Sequence, residues 1–247
     1  MQCGWKGTEM LLKPIPHREM PLHACGYRAC EEALVDLSTY IEGPLQIEMA
    51  YYRRRIKGAV PFCLMREGAA RRLQRALRVL PKGYGFLIFD AWRPVSVQQA
   101  LFDDYYIQIT NSTEGRQLSA SERIQRVRAF VSLPSFDPLH PCVHNTGGAV
   151  DLTLVGPNGR VLNMGTPFDD FSCAAHTDSF EGSGSTTIRD NRRLLYACMT
   201  AAGFTNLPSE WWHFDFGTAF WSYYTQKPAK YKGILKVGTE YEDEAEK

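Results

Sequence analysis

The sequence of 247 residues lacks the features that mark several large classes of protein. It has no apolar run of about 18 residues, so no segment is predicted to span a membrane. Its 28 Lys+Arg residues nearly balance its 27 Asp+Glu residues, so no excess charge would attract nucleic acid. It also lacks a glycine-rich phosphate loop of either common type, which argues against a nucleotide-dependent activity.

Cysteine occurs at seven positions, but no two cysteines form a C-x-x-C pair. A thiolate zinc knuckle or a thioredoxin-type redox site is therefore not expected. The odd count favours reduced thiols, and the N-terminus has no continuous apolar stretch of the kind found in signal peptides. We therefore expect a cytoplasmic protein. The alternatives are an export signal that has been removed and a disulfide between Cys25 and Cys30.

No internal repeat or low-complexity linker divides the chain, whose apolar fraction of 44% is that of an ordinary globular protein. We predict a single domain over residues 1–240, in which residues 1–60 are a divergent N-terminal portion. Residues 241–247 are interpreted as an acidic tail. The arginine runs at 53–55 and 71–72 are interpreted as solvated faces.

Hydrophobic periodicity predicts four helices, over residues 66–80, 94–109, 121–131 and 190–202. Asp190 is the candidate N-cap of the last helix. Apolar runs predict strands over residues 84–90, 147–155 and 211–216. Because helices and strands do not alternate regularly, we predict an α+β domain with a small, mainly antiparallel sheet flanked by helices.

The first candidate for chemistry is an aspartate inside a predicted buried strand. Asp151 has apolar neighbours in the run GGAVDLTLV (147–155), so its carboxylate is expected at or near the core. An ionised carboxylate there is costly unless a cation or several hydrogen-bond donors meet it. His144, just before the glycine pair, is near enough in sequence to share a metal ion with Asp151. An aspartate bonded to loop amides, beside a surface histidine, is the alternative.

The segment SEWWHFDF (209–216) contains a second candidate pair, Glu210 and His213. On a regular strand these side chains would point to opposite faces, so the backbone must turn between them if both serve one site. A buried histidine packed among core tryptophans is the alternative. Together with His144 and Asp151, His213 completes a set of two histidines and one carboxylate, which is common for catalytic zinc.

A zinc ion on such a set keeps a position for water and lowers the pKa of that water toward ~7. Glu210 is placed to accept the proton of the water and to pass it to a leaving amine. Arg93 follows the predicted strand at 84–90, and its fixed charge could stabilise the oxyanion of peptide hydrolysis. A surface salt bridge between Arg93 and Asp90 is the alternative for this arginine.

Four segments carry a combined pattern: DAWRP (90–94), CVHNTGGAVDLTL (142–154), MGTPFD (164–169) and EWWHF (210–214). In order and spacing they resemble the VanX-type D-alanyl-D-alanine dipeptidases, which are zinc peptidases related to the D,D-carboxypeptidases. The resemblance extends from Tyr84 to Phe216. It implies that the zinc site lies on the sheet of an α+β fold.

The resemblance also implies roles for individual residues. One zinc ion per chain would be held by His144, Asp151 and His213. Glu210 would be the catalytic base, and Arg93 would stabilise the transition state. These assignments agree with the roles that the residue types alone suggest.

Two further positions rest on the resemblance alone. Asp169 ends the segment MGTPFD and matches a family aspartate near the amino end of the substrate. Cys142 stands where the family has a serine that is thought to contact substrate. Residues 51–56 lack the asparagine–phenylalanine pair of the family. These departures concern the pocket and not the metal or the base, so they bear on specificity rather than on hydrolysis.

The sequence therefore predicts a zinc-dependent dipeptidase that hydrolyses D-Ala-D-Ala or a related small peptide containing D-amino acids. The alternatives are a D,D- or L,D-carboxypeptidase acting on peptidoglycan stem peptides and a zinc-binding protein without catalysis. The expected partner is a small peptide substrate, with no nucleic acid and no membrane span. The sequence makes no prediction about the oligomeric state.

Overall fold

A computed structural model describes residues 13–182 and 184–235, and the acidic tail at 241–247 lies outside them. The strands in this part of the chain are β1 (Leu34–Asp36), β2 (Leu45–Ile47), β3 (Leu64–Arg66), β4 (Gly85–Asp90), β5 (Ala149–Val155), β6 (Thr205–Asn206) and β7 (His213–Asp215). The α-helices are α1 (Leu37–Tyr40), α2 (Ala50–Arg53), α3 (Glu67–Val79), α4 (Val95–Asn111), α5 (Ala120–Arg128), α6 (Thr186–Ala201) and α7 (Ala219–Thr225). Short 3-10 helices lie at Gly115–Gln117, Val143–Thr146 and Cys173–Ala175.

Five strands form the central sheet in the order β2-β4-β5-β7-β6. Strand β2 runs parallel to β4, and the other neighbouring strands of this sheet run antiparallel. Strands β1 and β3 form a separate antiparallel pair. The predicted α+β fold with a mainly antiparallel sheet is therefore confirmed.

The main core lies between this sheet and helices α3 and α6. Helix α3 contributes a stripe of small and medium apolar residues, namely Ala69, Ala70, Leu73, Ala76 and Leu77. Strand β5 contributes Val150, Leu152 and Leu154, each with no exposed surface. Because side chains alternate along a strand, Asp151 points to the opposite face of the sheet. Burial of each large apolar side chain contributes roughly 1.5–3 kcal/mol, which anchors β5 and thereby Asp151.

Helices α4 and α5 form a separate packing unit in the connection between β4 and β5. Phe102, Ile109, Val127 and Val131 make its small core. Helix α5 begins with a capping box, in which the Ser119 hydroxyl accepts from the Glu122 amide while the Glu122 carboxylate accepts from the Ser119 amide. This arrangement satisfies two amides that the helix itself leaves without acceptors.

Several predicted boundaries are wrong, among them those of the last predicted helix and the last predicted strand. Helix α6 begins at Thr186 with Ser185 as its N-cap, so Asp190 lies inside the helix. The serines and threonines before Asp190 favour caps and turns, and they obscured the first helical turn in the sequence. Strand β7 covers only His213–Asp215, because Trp211 and Trp212 lie in a turn rather than in the strand predicted at 211–216.

The six cysteines within the described ranges are free thiols. Cys25 and Cys30 are both exposed and are not joined by a disulfide. None of the helices in those ranges is long and apolar enough to cross a bilayer. The single domain and the cytoplasmic location stay predictions.

Candidate metal centre and catalytic pocket

The three predicted ligands meet on one face of the central sheet. Asp151 on β5 is the direct cross-strand partner of His213 on β7, so the two side chains point to the same face. His144 belongs to the 3-10 helix Val143–Thr146, which ends at Gly147 with φ 73°. Glycine adopts that left-handed conformation without strain, and it turns the chain from His144 into β5.

The donor atoms of these side chains face one another at short range. His144 Nε2 lies 3.1 Å from His213 Nδ1 and 3.3 Å from Asp151 Oδ2. His213 Nδ1 lies 2.9 Å from Asp151 Oδ1. The exposed fractions of His144, Asp151 and His213 are 5%, 2% and 2%. The structure thus brings together the three residues that the sequence singles out.

The outer nitrogens of both histidines are held by acceptors. His144 Nδ1 donates to the Ala91 carbonyl at 2.8 Å, and His213 Nε2 donates to the Asp215 carboxylate at 2.9 Å. A neutral imidazole with that proton has its other nitrogen free, and in both rings this nitrogen faces Asp151. Such outer acceptors are typical of metal-binding histidines. Two oriented imidazoles and one buried carboxylate therefore fit a divalent cation such as zinc.

Asp215 is a site residue that was not predicted from the sequence. It is 1% exposed, and its second carboxylate oxygen accepts a hydrogen bond from Thr218 Oγ1 at 2.8 Å. His213 and Asp215 are two positions apart on β7, so their side chains share a face. That spacing was the signal available in the sequence.

Glu210 reaches the same site because the backbone turns before β7. Trp211 and Trp212 occupy this turn, and the His213 amide donates to the Glu210 carbonyl at 3.3 Å. Glu210 Oε2 lies 3.8 Å from His213 Nδ1. Because the backbone turns here, Glu210 and His213 can face the same site, which they could not do on one regular strand. Burial raises the pKa of Glu210 to about 7, which suits a group that accepts and returns a proton near neutral pH.

Arg93 is buried beside the candidate ligands. Its Nε donates to Asp90 Oδ2 at 2.8 Å, and its Nη2 lies 3.5 Å from Asp151 Oδ2. Its Nη1 donates to Gln98 Oε1 at 2.8 Å. A bulge between Ile88 and Asp90 places Asp90 opposite Asp151 in the sheet. The salt bridge with Asp90 therefore exists, but it is buried rather than at the surface. The stabilisation of an oxyanion by Arg93 stays a prediction.

Asp169 lines the same cavity and is held by two residues of the N-terminal portion. The Tyr51 hydroxyl donates to Asp169 Oδ1 at 3.0 Å, and Arg54 Nη1 donates to Asp169 Oδ2 at 2.6 Å. Asp169 has φ 62°, a left-handed conformation that aspartate adopts more readily than most residues. This conformation directs the loop after β5 so that the carboxylate meets Tyr51 and Arg54.

The first two arginines of the 53–55 run have different surroundings. The side chain of Arg53 is 68% exposed, in agreement with the predicted solvated face. The side chain of Arg54 is also exposed, at 49%, but its charge is paired with Asp169 at the cavity. The resemblance places residues 51–56 at the pocket, but the contacts of Tyr51 and Arg54 with Asp169 were not predicted.

Cys142 also lines the cavity. Its thiol donates to the Leu133 carbonyl at 2.8 Å. Burial raises the pKa of this thiol above its ordinary value, which keeps it protonated as a donor. Its contact with substrate stays a prediction.

The residues above surround a cavity of about 450 Å³. Sites for small molecules have volumes of roughly 300–1,000 Å³, so the cavity has the size of a ligand site. It is lined by the candidate ligands, by Glu210 and Arg93, and by Asp169. The arrangement can therefore hold a metal ion, a proton acceptor and a fixed cation against one bound molecule.

Arg192 anchors the loop that carries Asp169. Its guanidinium donates to the carbonyls of Met164 at 2.7 Å, His176 at 2.5 Å and Ala174 at 2.8 Å. Arg192 is 2% exposed, and burial lowers its pKa to about 10, so it remains a cation near neutral pH. It thus supplies donors to the carbonyls of Met164 and Ala174, and a second donor, beside the Ser179 amide, to the carbonyl of His176.

Replacing Arg192 with methionine should lower the free energy of unfolding by about 3 kcal/mol, because buried carbonyls lose their donors. We expect kcat/KM for the peptide hydrolysis predicted from the sequence to fall roughly tenfold, since small displacements of positioning residues reduce turnover. Urea denaturation and steady-state kinetics measure both effects. The control is Arg189→Met on the same helix, because the side chain of Arg189 is 26% exposed. Wild-type stability of Arg192→Met would contradict the anchoring role.

Comparison with known proteins gives matches over most of the chain. The sequence profile of the D-ala-D-ala dipeptidase family matches residues 52–232. A D-alanyl-D-alanine dipeptidase of Synechocystis sp. is 28% identical over 241 residues, which cover 90% of this chain and 96% of that protein. A D-alanyl-D-alanine dipeptidase of Escherichia coli is 28% identical over 193 residues, which cover 74% of this chain and 83% of that protein. The solved structure of VanYB in complex with D-alanine-D-alanine matches with a TM-score of 0.42 and 14% identity, over 68% of this chain and 81% of that one.

Proposed function

We propose, since this chain belongs to the D-ala-D-ala dipeptidase family, that it is a zinc-dependent dipeptidase hydrolysing D-Ala-D-Ala or a closely related D,D-dipeptide. The observation that carries the proposal is the convergence of three metal-ligand side chains with Glu210 and Arg93 on one cavity. A protein that only bound zinc would need neither a proton acceptor nor a buried cation beside the ligands.

His144 Nε2, His213 Nδ1 and a carboxylate oxygen of Asp151 would hold the zinc ion. When bound, zinc supplies a Lewis acid that polarises the scissile carbonyl and makes water more acidic. The Ala91 carbonyl and the Asp215 carboxylate fix the orientation of the two rings. These outer contacts preorganise the site for the metal.

Glu210 carries the proton in the proposed reaction. A carboxylate oxygen of Glu210 accepts one proton from the attacking water, whose oxygen bonds to the scissile carbonyl carbon. Glu210 then gives this proton to the nitrogen of the leaving amino acid as the C–N bond breaks. The products are two free amino acids, and Glu210 returns to its starting form.

Arg93 and Asp169 bind charge at different parts of the substrate. The guanidinium of Arg93 carries a fixed positive charge next to Asp151, where it stabilises negative charge that develops on the carbonyl oxygen. Asp169 would pair with the free ammonium group of a dipeptide. Arg54 holds this carboxylate in the free protein, so the substrate ammonium would have to share or replace that contact.

The test combines metal analysis with a panel of peptides. We expect one zinc ion per chain and turnover of D-Ala-D-Ala, with L-Ala-L-Ala cleaved at least about tenfold more slowly. A chelator should remove both zinc and activity, and added zinc should restore them. Faster turnover of a peptidoglycan pentapeptide than of the dipeptide would indicate a carboxypeptidase. Zinc-loaded protein that cleaves no peptide in the panel would indicate a binding protein.

A further inference from the structure

The cavity has an apolar side that the proposed chemistry does not use. The connection between β4 and β5, together with the loop after Asp169, contributes apolar side chains to its lining: Leu101, Tyr105, Phe130, Val131 and Phe171. None of these side chains carries a group that could bind a metal ion or act as a base near neutral pH. Their contribution to the site must therefore be contact with substrate or exclusion of water.

Three of these residues form one cluster, which we call the aromatic wall: Tyr105, Phe130 and Phe171. The ring centroids lie 4.8 Å apart for Tyr105 and Phe171, 5.5 Å for Phe130 and Phe171, and 5.9 Å for Tyr105 and Phe130. Tilted and edge-on contacts of this kind hold aromatic rings in defined orientations. The wall packs on the small core of α4 and α5, yet each ring is only half-buried and lines the cavity.

The aromatic wall is connected to Asp169 and to Arg93, the two charged residues that would bind the substrate. Phe171 lies two residues after Asp169 on the same loop. Gln98 accepts from Arg93 Nη1 at 2.8 Å and donates to the Ser132 carbonyl at 2.8 Å, two residues after Phe130. Asp169, Arg93 and the wall also line one cavity, so we expect a peptide held between Asp169 and Arg93 to meet the wall.

The side chains of D-Ala-D-Ala do not account for this surface. Both are single methyl groups, and a cavity of about 450 Å³ leaves space beside such a small peptide. Apolar surface in a cavity favours ligands that cover it, because the free energy of binding improves in proportion to the apolar area removed from water. A larger apolar side chain would cover the rings that alanine leaves exposed.

We propose that the aromatic wall is a subsite for a large apolar or aromatic side chain, so that the preferred substrate is a D,D-dipeptide with one bulky apolar residue. The inference rests on the proposed function and specifies its substrate class. An apolar pocket that accepts a larger side chain typically changes specificity by about 10–200-fold, so the effect is measurable.

The first test compares kcat/KM for D-Ala-D-Ala, D-Ala-D-Phe and D-Phe-D-Ala with the zinc-loaded protein. We expect one of the two phenylalanine peptides to have the higher value, by about tenfold. Values for both that equal or fall below that of D-Ala-D-Ala would overturn the subsite and leave the dipeptidase activity standing. Absence of turnover for all three peptides would refute the proposed function itself, and the subsite with it.

The second test removes the wall. Phe171→Ala and Tyr105→Ala should each lower the ratio of kcat/KM for the better phenylalanine peptide to that for D-Ala-D-Ala by about tenfold. Phe136→Ala is the matched control, because Phe136 is 69% exposed and does not line the cavity. Phe171→Leu keeps an apolar side chain of similar size and should retain part of the preference even if Phe171→Ala loosens the fold. An unchanged ratio in the folded alanine variants would overturn the proposal.

Discussion

Replacement of Glu210 with glutamine should reduce kcat by a factor on the order of 10³ and leave one zinc ion bound per chain. Glutamine has nearly the same size and can still form hydrogen bonds, but it cannot accept the proton of the attacking water. Glu210 Oε2 is 3.8 Å from His213 Nδ1 and stands outside the cluster formed by the three candidate ligands. Elemental analysis and turnover of D-Ala-D-Ala on the same preparation measure the two properties together.

Two further variants serve as controls for that result. His213→Ala removes a coordinating nitrogen, so zinc and turnover should be lost together. Glu114→Gln changes a side chain that is 80% exposed and should alter neither. Wild-type turnover by Glu210→Gln would show that another group accepts the proton. Loss of zinc from Glu210→Gln would place Glu210 in the ligand set instead.

Much of the site could be predicted because its residues interrupt otherwise regular patterns. Asp151 is a charged residue within an apolar run, and such a residue requires a partner. Glu210 and His213 are separated by two tryptophans, and their joint use required a turn that the structure contains. The strongly periodic helix predicted over residues 66–80 was found as Glu67–Val79.

The contacts that the sequence could not reveal join segments that are distant along the chain. Arg54 and Asp169 are 115 residues apart, and no local pattern predicts their ion pair. Tyr51 likewise gains its role only when α2 is placed beside the cavity. Periodicity predicted a helix at α4, but it could not say that Tyr105 would face a cavity rather than solvent. Such features depend on tertiary packing, which local propensity does not encode.

The buried pair of Asp90 and Arg93 shows how stability and catalysis depend on one contact. Asp90 is 3% exposed, and burial raises its pKa, while Arg93 and His144 favour its ionised form. His144 Nδ1 lies 3.3 Å from Asp90 Oδ2, so a change at Asp90 also affects a candidate ligand. Arg93 therefore balances the charge of Asp90 and also lines the cavity, so we expect it to serve both the fold and the proposed reaction.

Replacement of Arg93 with glutamine should accordingly lower the free energy of unfolding by about 3–5 kcal/mol, because Asp90 loses its buried counter-charge. The same change should reduce kcat by a factor of roughly 10²–10³, because the cation that stabilises the oxyanion is gone. Urea denaturation at a fixed zinc concentration and steady-state kinetics with D-Ala-D-Ala provide the measurements.

The double variant Asp90→Asn/Arg93→Gln separates the two effects. It removes the unpaired buried charge, so most of the lost stability should return, whereas kcat should stay low because no cation faces the substrate. Recovery of turnover together with stability would show that Arg93 acts only through the fold. A single Arg93→Gln variant as stable as the unmodified protein would instead show that Asp90 does not need its counter-charge, because the site holds that carboxyl in the neutral form.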